Sequence, residues 1–243
     1  MAAYCVILPA AGKAERFGGG ENKTFAKLDG RPVFIRTLEH FINRPDVCQT
    51  ILAIAPEDAE TMRSRYGPNL GFMGVKLVEG GGRRRDTVAA ALGVIDEKAD
   101  YVAVHDAARP CVTAQMIDAV FAEAVKSGAA ILGTPITGTV KRVNAANVIE
   151  ETASRAGLFE AQTPQVFRKP LLIDAYAKLP PDAEVTDDAE VVERAGHAVA
   201  VVASDASNLK ITTKSDVTLA YAILKARPAK PLPRMGAFEE AQW

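Results

Sequence analysis

The chain lacks most of what would anchor it, export it or draw it to a polyanion. Its 29 Lys and Arg stand against 30 Asp and Glu in 243 residues. A formal net charge of −1 gives no global pull toward nucleic acid or an anionic membrane, so any anion binding must be local. Cysteine is scarce: Cys5, Cys48 and Cys111 are an odd number without metal-ligand spacing, which fits a reducing, cytoplasmic setting. No apolar run approaches the roughly 18 residues of a membrane span, and the stretch from Met1 to Leu8 has no basic start, so it does not read as a secretion signal. Two phosphate-loop patterns are also missing. There is no G-x-x-x-x-G-K-[ST], and no G-x-G-x-x-G follows the first apolar run, so neither a P-loop NTPase nor a dinucleotide-binding domain is indicated.

What is present is an α/β rhythm with small residues and charge at its joints. A hydrophobic fraction of 48% lets the chain bury a sizeable core as one domain, or one with an appendage. Val6, Ile7 and Leu8 read as a strand covered on both faces, ended by Pro9. Ala10, Ala11 and Gly12 then carry almost no side chain, so a base or phosphate can approach the backbone. Arg16 and Lys23 bring charge to the glycine-bearing loop that follows, although Gly18-Gly19-Gly20 taken alone is equally a surface turn. Helix-like spacing appears from Phe34 to Ile42 and from Glu57 to Tyr66. Asp86 reads as the N-cap of a helix from Thr87 to Ile95, and Thr113 as the cap of one reaching Gly128. Strands are expected at Ile51–Ala55, Val75–Val78, Tyr101–Val104 and Ala129–Gly133. The pattern predicts an open, mostly parallel sheet with helices on both faces and ligands at the carboxyl ends of the strands.

Three loops meet at those ends: the first loop, Gly80-Gly81-Gly82-Arg83-Arg84-Arg85-Asp86-Thr87, and His105-Asp106-Ala107-Ala108-Arg109-Pro110. A lone Asp after a strand is more often a cap or turn residue. Beside Arg16, Lys23 and Arg84, however, Asp106 suits a hard divalent ion such as Mg2+, shared with substrate phosphates.

These loops, with Thr163-Pro164-Gln165 and Asn208-Leu209-Lys210-Ile211-Thr212, resemble the 2-C-methyl-D-erythritol 4-phosphate cytidylyltransferase family over about residues 4 to 225. The resemblance implies a Rossmann-like nucleotidyltransferase fold and a Mg2+-dependent enzyme. Such an enzyme joins CTP to methylerythritol phosphate and releases pyrophosphate, on the non-mevalonate route to isoprenoid precursors. It assigns Arg16 and Lys23 to the triphosphate and transition state, makes Lys210 a catalytic residue beside the acceptor phosphate or the metal, and gives Ala10, Ala11, Gly12, Gly81, Arg84 and Thr87 to CTP. Asp106, Arg109, Thr163 and Thr186 fall around the acceptor, with Asp106 also a metal ligand. Thr139 and Arg155 match positions on an arm that reaches a neighbouring subunit's site, which implies a homodimer. Asn22, Thr87 and Gly138 depart from the family's usual proline, serine and aspartate. Thr87 keeps a hydroxyl, while Gly138 leaves the arm less constrained.

Chemistry agrees with that assignment. A phosphate monoester attacking the α-phosphorus of a nucleotide is already ionised near neutrality, so the site needs cations rather than a general base. His105 is therefore expected to be structural. Thr186-Asp187-Asp188-Ala189-Glu190 also reads as a plain helix start, and only the resemblance lifts Thr186 above that. Between Ile136 and Gln165 the α/β rhythm fails, and extended strands without a core of their own point to dimer exchange through an arm at about 136–160. Residues 1–225 are expected to form one domain, with a proline-bearing tail at 226–243 that is poorly ordered. Ribitol 5-phosphate remains an alternative acceptor, and a non-catalytic nucleotide-sensing module of the same fold an alternative role.

Overall fold

A computed structural model describes residues 2–11, 17 and 23–227. Strand β1 (Tyr4–Pro9) is followed by a short hairpin of β2 (Lys27–Leu28) and β3 (Arg31–Pro32), then α1 (Val33–Leu38) and β4 (Val47–Ile54). Next come α2 (Ala59–Phe72), β5 (Val75–Glu79), α3 (Arg84–Leu92) and β6 (Tyr101–Val104). The second half holds α4 (Ala114–Ser127), β7 (Ala129–Pro135), β8 (Val140–Val143), β9 (Ile149–Ala153) and β10 (Phe159–Arg168). It finishes with α5 (Lys169–Lys178), α6 (Asp188–Arg194), β11 (Ala200–Ala203) and α7 (Lys214–Ala226). Of the tail expected at 226–243, Ala226 ends α7 and Arg227 is its C-cap, and residues 228–243 lie outside the described residues.

Seven strands form one sheet in the order β11-β7-β10-β6-β1-β4-β5. Neighbours run parallel except at β10, which is antiparallel to both β6 and β7. Alternation along β1 divides the core. Val6 and Leu8 pack with Phe34, Met62, Tyr66 and Phe121 beneath α1, α2 and α4, while Cys5 and Ile7 pack with Val88, Leu172 and Val191 beneath α3, α5 and α6. Both faces are covered, as the unbroken apolar strands require. A third cluster, Phe17, Leu28, Val33, Ala108, Cys111, Ile211 and Ala220, seats α7 and the β2–β3 hairpin against the strand ends.

Three expectations need correction. Helix α2 runs on through Pro68 to Phe72 instead of stopping at Tyr66. Its buried residues Met62, Tyr66 and Leu70 keep a spacing of four across the proline, so packing outweighs the single backbone bond that proline cannot make. Helix α3 begins at Arg84 with Arg83 in the N-cap position, so Asp86 is its third residue, and its carboxylate binds Arg83 at 2.8 Å. Finally, the stretch from Ile136 to Gln165 does not lack a core throughout. From Phe159 the chain is β10, inserted in the main sheet with Gln162, Thr163 and Gln165 buried. The arm proper is the β8–β9 hairpin, which forms a separate two-stranded sheet.

Candidate active site

The site is built around one carboxylate. Asp106 follows the carboxyl end of β6 and is 7% exposed. Its Oδ2 lies 2.8 Å from Lys210 Nζ and 3.4 Å from Arg109 Nε, and its Oδ1 lies 3.5 Å from Arg84 Nε. Burial alone raises a carboxyl pKa, but Lys210, Arg84 and Arg109 together hold Asp106 well below the usual carboxylate range. These three cations favour its ionised form. Lys23, Arg84 and Lys210 line one pocket with Asp106, a surplus of positive charge at the mouth of the sheet. That pocket suits a polyphosphate.

The walls come from the segments that follow β1, β5, β6 and β11. Pro9, Ala10 and Ala11 form the floor, where Ala10 N–H continues the ladder to Ala53 O at 2.7 Å. Lys23 opens a 3-10 turn, Lys23–Phe25, beside them. Gly80 and Gly81 let α3 come close. A Cβ on Gly80 would sit 2.6 Å from Thr87 Oγ1, and one on Gly81 2.5 Å from Asp86 Cβ. Thr87, fully buried, donates its hydroxyl hydrogen within its own loop, 3.1 Å from Arg83 O and 3.3 Å from Gly81 O.

Lys210 is delivered by a loop fastened at several points. Arg109 Nη1 donates to Asn208 O at 2.7 Å, Asn208 Nδ2 donates to Gln162 Oε1 and Thr163 O, and Ile211 N–H donates to Ala108 O at 2.8 Å. Behind Asp106, Thr163 Oγ1 accepts from Asp106 N–H at 3.0 Å and lies 3.1 Å from His105 Nδ1. His105 Nε2 faces Arg109 O at 3.1 Å, which can only accept, so Nε2 carries a proton. Burial pushes the His105 pKa down to about 3. The expectation that His105 is structural agrees with this geometry.

Of the residues singled out from sequence, Ala10, Ala11, Lys23, Arg84, Thr87, Asp106 and Lys210 line the one pocket. Gly81, Arg109 and Thr163 buttress it through the bonds above. Gly12 and Arg16 lie outside the described residues. Thr139 and Arg155 are exposed on the segments flanking the hairpin, where Arg155 donates to Thr137 O of its own chain. Thr186 is exposed, and its N–H and hydroxyl both donate to Glu190, at 2.7 and 2.9 Å, so the helix-start reading describes its geometry. Pocket residues not singled out as site residues are Pro9, Thr24 and Ala108. Of the residues that fasten the Lys210 loop, Asn208 left no signal beyond the motif that contains it, and Gln162, one residue before Thr163-Pro164-Gln165, left none.

The donor set does not fit a Mg2+ ion held by the protein alone. No cluster of three His, Cys, Asp or Glu side chains suited to a metal occurs among the described residues. Both oxygens of Asp106 already face cations, so a divalent ion here depends on phosphates for its coordination.

Comparison with known proteins converges on one group. The family model described as 2-C-methyl-D-erythritol 4-phosphate cytidylyltransferase matches residues 4–226. A cytidylyltransferase of that name from Rhodopirellula baltica is 40% identical over 234 residues, covering 92% of this chain and 95% of the relative. One from Bacillus velezensis is 40% identical over 225 residues, covering 92% and 96%. Among solved structures, the Francisella tularensis 2-C-methyl-D-erythritol 4-phosphate cytidylyltransferase has a TM-score of 0.77 at 32% identity, covering 91% of this chain and 100% of that one. The 4-diphosphocytidyl-2C-methyl-D-erythritol synthase of Anaerococcus prevotii has a TM-score of 0.78 at 26% identity, covering 92% and 96%. With a cationic pocket at the strand ends and a match over nearly its whole length, the chain belongs to the 2-C-methyl-D-erythritol 4-phosphate cytidylyltransferase family.

Proposed function

We propose that the protein transfers CMP from CTP to 2-C-methyl-D-erythritol 4-phosphate, giving 4-diphosphocytidyl-2-C-methyl-D-erythritol and pyrophosphate. The observation that carries this reading is the pocket in which Lys23, Arg84 and Lys210 surround Asp106 at the carboxyl ends of the sheet. An acceptor phosphate oxygen attacks the α-phosphorus in line. A new P–O bond forms as the α–β bridging bond breaks, and its electron pair leaves with pyrophosphate. Two anions must meet, so catalysis lies in cancelling charge where it grows. Lys23 and Arg16 act on the triphosphate. Lys210, fixed by Asp106, draws the acceptor phosphate into line.

Base choice falls to the floor and the glycine loop, Ala10, Ala11, Gly12, Gly81 and Thr87. The Thr87 hydroxyl hydrogen is engaged by a carbonyl, so its oxygen can only accept, which suits the amino group of cytosine better than the carbonyl of uracil. Asp106, Arg109, Thr163 and Thr186 serve the acceptor side. Asp106, together with the triphosphate oxygens, would hold Mg2+, which would supply further positive charge at the transferring phosphate. Thr139 and Arg155 would come from the partner of a homodimer. Val148, Ile149, Leu158 and Phe159 support this, being 42–59% exposed along the arm and its base, an apolar surface a single chain leaves uncovered. The three free cysteines fit a cytoplasmic enzyme.

The test is pyrophosphate release from each nucleoside triphosphate with a panel of sugar-alcohol phosphates. Turnover of CTP with methylerythritol phosphate alone is expected. Preference for ribitol 5-phosphate would reassign the acceptor, and CTP binding without turnover would make the protein a sensor. Lys23→Ala should lower kcat by about 10²-fold or more with little change in CTP affinity. A raised KM at normal kcat would move Lys23 to ground-state binding.

A further inference from the structure

Arg84 belongs to the pocket, but its charge is shared with a second carboxylate that no motif reading placed there. Asp188, the first residue of α6, is completely buried, and its Oδ2 lies 2.7 Å from Arg84 Nη2, without the alignment of a hydrogen bond. Its Oδ1 accepts from Tyr176 OH at 2.6 Å. Its backbone is fixed as well. Gln165 of β10 accepts from the N–H groups of Asp188 and Ala189, both at 3.0 Å, and donates to Asp187 at 2.7 Å. The neighbours of Arg84 secure the same unit from the other side. Arg85 donates to Pro180 O at 2.8 Å and Ala183 O at 2.6 Å, and Arg83 to Pro181 O at 3.1 Å, in the loop that leads into α6. The three consecutive arginines thus divide their work: the outer two bind the loop to α3, and the middle one spans two carboxylates.

We infer that Asp188, held by Tyr176 and Gln165, is a positioning residue that keeps the Arg84 guanidinium on the wall of the nucleotide pocket and out of a closer, bidentate grip on Asp106. The proposal rests on the cytidylyltransferase reading above. A guanidinium beside two carboxylates is placed by their balance. Arg84 touches Asp188 at 2.7 Å and Asp106 only at 3.5 Å. Without the Asp188 charge, Asp106 is the remaining carboxylate partner. Arg84 would then swing toward it in the bidentate geometry that Arg and carboxylate favour, and compete with Lys210 for Oδ2. Both the nucleotide wall and the Lys210 position would be lost together.

The test is a cycle of Asp188→Asn, Arg84→Met and the double variant, read by pyrophosphate release and by thermal unfolding without substrate, with Tyr176→Phe as a milder probe. Asp188→Asn keeps the volume and an acceptor for Tyr176. It should reduce kcat/KM by about 10- to 100-fold, through a raised CTP KM and a lowered kcat together. Tyr176→Phe should give a smaller loss of the same kind. The double variant should be no less active than Arg84→Met alone, because Asp188 acts only through Arg84. Arg84→Met should lower Tm by stranding a buried charge, and adding Asp188→Asn should restore Tm but not activity. Additive effects, or an Asp188→Asn enzyme within threefold of wild type, overturn the inference. If wild type releases no pyrophosphate, the functional reading fails instead, and the Tm cycle still decides whether Asp188 and Arg84 are coupled.

Discussion

At the scale of single residues, the buried histidine behind Asp106 makes a claim about pH. His105 is neutral with its pKa held down to about 3 by burial, against an unfolded value of 6.5. Below 6.5 the unfolded chain binds a proton that the folded chain refuses, so stability falls as pH drops from 6.5 toward 3, by about 1.4 kcal/mol per pH unit for one such group. His40 is shifted the same way by burial, its ring against Pro110 O, and steepens the slope. Asp106 acts with the same sign, because its carboxyl is also held down in the folded chain, but its contribution is lost only as pH falls through the ordinary carboxylate range and below, so the slope above that range belongs to the histidines. Unfolding free energies measured from pH 4 to 7 should show the slope, and His105→Asn should reduce it by one proton. A slope unchanged by that substitution would place the uptake elsewhere. Residues were legible in the sequence where a charge stood beside small residues after an apolar run, as with Lys23, Arg84 and Asp106, while Lys210 was legible only through the family resemblance. Asp188 and Gln165 were not, because a buried polar residue inside a helix start or strand looks like an ordinary surface residue until its partners are known.

At the scale of elements, the meeting of β5 and α3 depends on hydrogen atoms where side chains usually are. Gly80→Ala would drive a Cβ to 2.6 Å from both Thr87 Oγ1 and Cγ2, so the start of α3 must shift and carry Arg84 with it. A stability loss of about 1–3 kcal/mol is expected. The CTP KM should rise far more than the KM for the acceptor, and equal rises would mean that the loop serves both substrates. The parallel units were legible because their strands are uninterrupted apolar runs with a cap or proline at each end, as at Thr113, whose side chain does accept from Met116 N–H at 3.1 Å. Strand β10 was not, since Gln162, Thr163, Pro164 and Gln165 break every strand pattern. Those polar residues are there because the strand passes behind the site and supplies bonds to Asp106, Asn208 and α6.

At the scale of the whole molecule, the projecting hairpin predicts a site shared between two chains. Lys23→Ala and Arg155→Ala proteins should each be nearly inactive. After random reassortment half the dimers are mixed, and each has one intact site of two, so about a quarter of wild-type activity should return. No return of activity, with exchange confirmed by mass, would mean that the arm acts on its own chain. The sheet order has a separate consequence, for what happens when the backbone is cut. The arm's turn, residues 144–148, lies between β8 and β9, and the strands before and after it alternate across one half of the sheet, with β10 between β6 and β7 and β7 between β10 and β11. A single cleavage at that tip leaves two pieces laced like the fingers of folded hands. Neither can leave without drawing a strand sideways out of the middle of a sheet. With a protease site placed at the tip, the nicked protein should elute as one species without denaturant and run as two bands with it. Pieces that part on dilution would refute the interleaving.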